Sequence, residues 1–202
     1  MEKTLLIFIK NPVLGRVKTR LAATLGAEAA LAAYLELLAY TRAVAVRTAC
    51  RRRLWYSDYI PEADDWPADL FEKHVQSGAD LGLRMANAFE SAFEAGAERV
   101  LIIGSDCPGI TPAILAEGFD ALRTHDFVLG PSTDGGYYLL GMRRYQRSLF
   151  EGVAWSSPTV CAETIRRIQT LGGDCRMLPV LTDIDTEADW NAIGGRVPLF
   201  PE

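Results

Sequence analysis

Short runs in which every residue is apolar alternate along this chain with longer stretches in which apolar residues return every three or four positions. Residues 4–9 (TLLIFI) form the first run and residues 100–103 (VLII) the second. Runs of this length are how strands of a parallel sheet read when both faces are covered. Weaker strand candidates lie at 54–57, 127–129, 137–140 and 176–181. Leu31, Tyr34, Leu38, Thr41 and Ala45 recur at helical spacing, which predicts a long amphipathic helix over 27–50. Asp80 is placed to cap a helix carrying Leu81, Met85, Ala88, Phe89, Ala92 and Phe93. Thr111-Pro112 opens a helix with Ile114, Leu115, Phe119 and Leu122, and Ser157-Pro158 opens one with Cys161, Ile165, Ile168 and Leu171. Thr186 caps a short final helix, and the Pro- and Asp-rich stretch 58–69 reads as a loop. Strand and helix alternate, with one adjacent strand pair near the middle. That order predicts an α/β fold, a three-layer α/β/α sandwich around a mostly parallel sheet. No repeat, low-complexity segment or linker divides the chain, so residues 1–202 are expected to form one domain.

Composition narrows the function classes. Hydrophobic residues make up 49% of the 202, enough for a packed core, and the formal charge of −5 argues against a nucleic-acid or anionic-membrane partner. Two basic clusters exist, Arg51, Arg52 and Arg53, then Arg143, Arg144 and Arg147. The first reads as a solvated helix end, its cations near the negative pole of the helix dipole. Cys50, Cys107, Cys161 and Cys175 include no C-x-x-C pair, which gives a zinc or redox centre no support and fits a reducing cytosol. The apolar run 4–9 is too short for a signal-peptide core or a membrane span, and no later stretch reads as a span. A soluble, cytoplasmic protein is expected.

In open α/β sheets ligands bind beyond the carboxyl ends of the strands. Those positions hold Lys10, Asp106, Asp134, Asp183 and Asp185. Residues 10–20, KNPVLGRVKTR, are not a Walker loop, because Val17 stands where that motif has Gly before its Lys. They still combine Gly15 with Lys10, Arg16, Lys18 and Arg20, which suits a di- or triphosphate; a solvated basic loop is the plainer alternative. Asp106, in a Gly- and Pro-bounded turn, suits a hard ion such as Mg²⁺ or Mn²⁺, or an Asx-turn. Asp183 and Asp185 are two apart, so on an extended segment both point to one side, while Thr186 and Asp189 read as a capping box. Asp134-Gly135-Gly136-Tyr137 is a tight loop whose glycines allow positive φ or a close ligand, although a plain hairpin explains it too. His74 and His125 lie away from these strand ends and receive no catalytic role. Trp155 suits an acceptor pocket or core packing equally.

Five segments in this order, FIKNPVLGRVKTRL, QSGADLGLRM, IIGSDCPGI, GPSTDGGYYLLGM and DIDTEADW, resemble a bacterial family of uncharacterised or arsenosugar-linked glycosyltransferases (DUF2064). That family lies in the nucleotide-diphospho-sugar transferase superfamily, whose fold is GT-A. The resemblance runs from near residue 5 to near residue 190. The first segment also resembles the loop of 2-phospho-lactate guanylyltransferase, and DIDTEAD resembles the ending of molybdenum-cofactor nucleotidyltransferases. The resemblance implies that Lys10, Gly15, Lys18 and Arg20 hold nucleotide phosphates, with Ser105 among the nucleotide-binding residues. It implies Asp106 as a metal ligand and catalytic residue, with Asp185 the best match for a second ligand and Asp183 next. Asp134, as a catalytic residue, and Gly135, Gly136 and Tyr137 would face the substrate. Two departures stand out. The Asp106 turn reads Ser105-Asp106-Cys107-Pro108 and lacks the D-x-D of many glycosyltransferases, and the first loop lacks G-x-G-x-R.

The expected function is transfer of a sugar from a nucleotide diphosphate sugar to a small-molecule acceptor. Mg²⁺ or Mn²⁺ and the loop cations would stabilise the leaving diphosphate, and Asp134 would deprotonate an acceptor hydroxyl. The alternative is a guanylyl- or cytidylyltransferase-like enzyme that joins a nucleoside triphosphate to a phosphorylated small molecule. A second alternative is a non-catalytic nucleotide-binding accessory protein, whose binding would need neither Asp106 nor Asp185.

Overall fold

The structure is a computed structural model, and it describes residues 2–198. The strands are β1 (Lys3–Ile9), β2 (Arg51–Tyr56), β3 (Glu72–Val75), β4 (Arg99–Ile103), β5 (Phe127–Pro131), β6 (Tyr137–Met142) and β7 (Cys175–Met177). They form one sheet in the order β3-β2-β1-β4-β6-β5-β7. Only β6 runs against its neighbours, pairing antiparallel with both β4 and β5. The helices are α1 (Thr19–Leu25), α2 (Ala27–Arg47), α3 (Leu81–Glu94), α4 (Pro112–Ala121), α5 (Val160–Thr170) and α6 (Glu187–Ala192).

Alternate side chains of the strands feed two cores. Leu5, Ile7, Leu54, Leu101 and Val128 pack with residues of α1, α2, α4 and α6 on one face. Leu6, Trp55, Val100, Ile102 and Leu140 pack with α3 and α5 on the other. This is the expected α/β/α sandwich, and it explains the unbroken apolar runs: β4 is buried at all five positions because both its faces are covered. From β1 the chain moves outward to β2 and β3, whereas β4 starts the other half of the sheet. The carboxyl ends of β1 and β4 therefore flank a topological switch point, where such sheets open a crevice.

Several elements depart from the sequence reading. β3 (EKHV) lacks a strong apolar pattern and went unseen; it pairs parallel with β2 along the main chain, and Glu72 adds ion pairs with Arg51 and Arg53. Helix α1 went unseen because Leu21 is its one buried residue. Arg51, Arg52 and Arg53 are strand residues of β2, and Arg53 is buried, so they are not a solvated helix end. Arg52 alone plays part of that role, donating to the carbonyls of Ala45, Val46 and Thr48 at the end of α2. The strand expected at 176–181 shortens to β7, leaving Leu181 bridged singly to Ser132. The expectation that nothing later reaches span length is also corrected. Helix α2 is 21 residues long with a hydropathy of 1.4 over its most apolar window, long and apolar enough by those measures. Its Ala30, Ala33, Tyr34, Leu37 and Val44 are buried against the sheet.

Candidate functional site

Side-chain to backbone hydrogen bonds first tie the strand ends together. The Tyr34 hydroxyl, buried on α2, accepts from Lys10 N (2.9 Å), donates to Lys10 O (3.1 Å) and stands 3.3 Å from Ser105 Oγ. One side chain thus ties the end of β1 to the end of β4. Burial, and then the nearby Asp106 charge, push the Tyr34 phenol up, so it stays protonated. Asn11, also buried, donates to Tyr59 O and accepts from Asp58 N, fixing the first loop to the end of β2. Gln76 Nε2 donates to both Ile9 O and Trp55 O, closing the same end from β3's side.

From these anchors the first loop swings out and returns at Lys18. Gly15 sits at φ +74 in open space, and Leu14 is exposed at the tip. Lys18 has left-handed backbone angles, φ 46 and ψ 48, just before α1. Its side chain is only 4% exposed, and its ammonium lies 2.6 Å from Asp106 Oδ1 and 3.3 Å from Asp185 Oδ1. Arg20 Nη1 stands 3.9 Å from Asp185 Oδ2 but is solvated. Lys10 is exposed, its backbone rather than its ammonium being what the clamp uses.

The acidic residues arrive on three segments stitched together by main-chain bonds. Asp106 O accepts from Ile184 N (2.9 Å), Pro131 O accepts from Leu181 N, and Leu181 O accepts from Thr133 N. The segment 181–185 therefore lies between the turn after β4 and the loop after β5. The capping box of Thr186 and Asp189 ends it, as the sequence implied. Burial first, then the charges of Asp106, Asp134 and Asp185, push the Asp183 carboxyl up to about 7, with Lys18 opposing. Its neighbour Cys107 is pushed up to about 12, again by burial first and then by Asp183.

Lys18, Asp106, Asp183 and Asp185 are thus brought together, with Asp134 at the edge and Ser105 behind. The remaining residues behave differently. Asp134 Oδ1 accepts from Ser132 Oγ (2.5 Å) and from Gly136 N (2.9 Å), so this oxygen is engaged in its own loop. Gly135 has φ +90, and a Cβ there would lie 2.0 Å from Pro158 O; the chain itself, not a ligand, demands glycine. Tyr137 turns away from the crevice and packs with the α3 and α5 core. Trp155 does the same, stacking on Phe150 and covering Gly82. His74 stacks on Trp55, and His125 bonds within the turn after α4. The sequence reading missed Tyr34, Asn11 and Gln76. A hydroxyl on the apolar stripe of α2 was the available signal, since a buried Tyr seeks a partner for its oxygen.

The donor chemistry for a divalent ion is present in part. Asp106, Asp134 and Asp185 lie near enough to raise the Asp183 carboxyl, and Asp106 and Asp185, which contact the buried lysine, offer oxygens of the kind Mg²⁺ and Mn²⁺ accept. Among the described residues, however, no three His, Cys, Asp or Glu side chains are grouped closely enough to hold an ion. Lys18 Nζ stands between Asp106 and Asp185 instead.

The family described as "Uncharacterized protein conserved in bacteria (DUF2064)" matches residues 39–157. A crystal structure from Desulfovibrio desulfuricans G20, provisionally described as a nucleotide-diphospho-sugar transferase, is 30% identical, with a TM-score of 0.87 over 96% of this chain and 87% of that one. Rv0371c of Mycobacterium tuberculosis H37Rv, solved in complex with manganese, is 14% identical with a TM-score of 0.56 over 96% and 98%. CMP:2-keto-3-deoxy-manno-octonic acid synthetase complexed with CTP is 12% identical with a TM-score of 0.59 over 96% and 97%. No curated protein matches the sequence. The fold is that of nucleotide-using transferases, and with its family match and its 30% identical relative the chain belongs to the bacterial DUF2064 family.

Proposed function

We propose that this protein is a metal-assisted transferase whose nucleotide substrate lies across the switch point, with its phosphates toward Lys18 and the first loop. The observation that carries this reading is the buried Lys18 ammonium in contact with Asp106 and Asp185. A lysine and two carboxylates at the carboxyl ends of the strands match what a phosphate leaving group needs: fixed positive charge, and oxygen ligands for an ion. Asp106 and Asp185 would hold the Mg²⁺ or Mn²⁺, with Asp183 beside them, and the ion would neutralise charge building on the phosphate oxygens. Lys10, Arg16 and Arg20 are exposed in or next to the first loop and would steer the anionic substrate in. The finer assignment is glycosyl transfer from a nucleotide diphosphate sugar to a small acceptor, in keeping with the description of the 30% identical relative.

One observation favours nucleotidyl transfer as a second reading. Asp134 Oδ1 is engaged by Ser132 and Gly136, and both histidines sit in other contacts, so a base for an acceptor hydroxyl is poorly provided. A phosphate acceptor is already an anion and needs no base. The two chemistries release different products. Incubation with nucleotide sugars and with nucleoside triphosphates plus candidate acceptors, with Mn²⁺ present, should release a nucleoside diphosphate if sugar is transferred and pyrophosphate if a nucleotide is. Asp106→Ala should abolish either release while its circular dichroism matches wild type. Undiminished turnover by Asp106→Ala would refute the assignment of this residue.

A further inference from the structure

Lys18 is placed strangely for a residue that serves only to contact a ligand's phosphates. Its ammonium is not presented to the crevice: the side chain is 4% exposed and satisfied by Asp106 at 2.6 Å and Asp185 at 3.3 Å. Its backbone holds φ 46, a region that disfavours any residue with a Cβ and persists only where the surroundings over-determine it. The two oxygens that its ammonium contacts belong to the carboxylates proposed above as metal ligands. Without Lys18, Asp106 and Asp185 would lose the buried cation that contacts both.

We propose that Lys18 is the site's internal counter-ion, which a divalent cation displaces from Asp106 and Asp185 and so turns toward the substrate's phosphates. This rests on the transferase reading above. A cation of this kind binds carboxylate oxygen at roughly 2.1 Å, so it competes with the ammonium for the Asp106 and Asp185 oxygens, and the two positive charges repel. Lys is suited to the exchange. Its charge is compact, its four-carbon stem is flexible, and it has no planar fork that would fix it to one carboxylate. Once displaced, a buried ammonium needs a new anion, and a nucleotide phosphate supplies one. Metal and nucleotide should then each strengthen binding of the other.

Mn²⁺ binding without nucleotide, followed by electron paramagnetic resonance, tests this in wild type and in Lys18→Met. Removal of a competing cation should tighten Mn²⁺ binding by at least about tenfold. Equal or weaker binding by a folded Lys18→Met, with wild type still binding, would overturn the counter-ion role and leave the metal reading standing. Should Lys18→Met not fold, wild type decides. Acetylation of Lys18 by an amine-selective reagent, read by mass spectrometry, should speed up when Mn²⁺ is saturating. An unchanged Lys18 rate would overturn the proposal. If neither protein binds Mn²⁺, the metal reading itself falls, and the counter-ion role with it.

Discussion

Tyr34→Phe removes one oxygen and keeps the ring in place, so its cost isolates the clamp between β1 and β4. The lost hydroxyl accepts from Lys10 N at 2.9 Å and donates to Lys10 O at 3.1 Å. An N–H left without a partner costs about 1–3 kcal/mol when buried. Lys10 is itself exposed, so water can reach part of that backbone, and the lower half of the range applies: about 1–2 kcal/mol. For a chain of this size each kcal/mol lowers Tm by roughly 2–4 °C, which gives a fall of about 2–8 °C. Urea unfolding should show a lower midpoint with an unchanged m value, because the loss is local and the surface exposed on unfolding is the same. Nucleotide affinity should fall as well, since Lys10 and Ser105 would no longer be held in register. A stability change below about 0.5 kcal/mol would show that water replaces the hydroxyl and that Tyr34 does not organise the crevice.

Other perturbations test other links. Gly135→Ala forces a Cβ to within 2.0 Å of Pro158 O at φ +90, and a loss of at least about 3 kcal/mol in chemical denaturation is expected; wild-type stability would mean the loop is not seated on that segment. Burial pushes the thiols of Cys50 up to about 11 and of Cys107 and Cys175 up to about 12, so a disulfide reagent at pH 8 should react slowly with native protein and quickly in urea. At Asp64 burial works to raise the carboxyl pKa, but hydrogen bonds from Lys73 and Tyr56 outweigh it and hold it below 3.8. The folded value is depressed, so its contribution is present above the unfolded value and lost as pH falls through the folded one. Asp64→Asn should therefore cost about 1 kcal/mol at pH 7 and converge with wild type in acid unfolding curves; a constant difference down to low pH would contradict the pairing.

The parts of this molecule that were legible in the sequence are those where burial is symmetric. β1 and β4 read clearly because both faces are covered, and the α4 start read clearly because Thr111 caps Ile114 N ahead of Pro112. β3 was invisible because it is an edge strand joined to β2 by main-chain pairing, with Glu72 engaged by Arg51 and Arg53, and neither leaves a periodic apolar trace. At the site, the strand-end positions singled out Asp106, Asp183 and Asp185, and main-chain bonds bring their segments together in the fold. The spacing could not show that Lys18 is buried against Asp106 and Asp185, the latter contact spanning 167 residues. Nor could it show that the glycine at 135 answers to Pro158, or that Tyr137 turns its ring to the opposite core. Those outcomes depend on which face a loop presents, and the chain settles that only when its layers are packed.

A transferase of the proposed kind must bind a nucleotide together with a divalent ion held by Asp106 and Asp185. A thermal-shift panel of nucleoside triphosphates and nucleotide sugars, each with and without Mg²⁺ or Mn²⁺, tests it most directly. A ligand at a hundred times its Kd adds about 2.7 kcal/mol, a rise of roughly 5–11 °C for this chain length. The account predicts a rise with at least one nucleotide that depends on the metal and disappears in Asp106→Ala and Asp185→Ala. No rise with any nucleotide, or a rise that both variants retain in full, would contradict it.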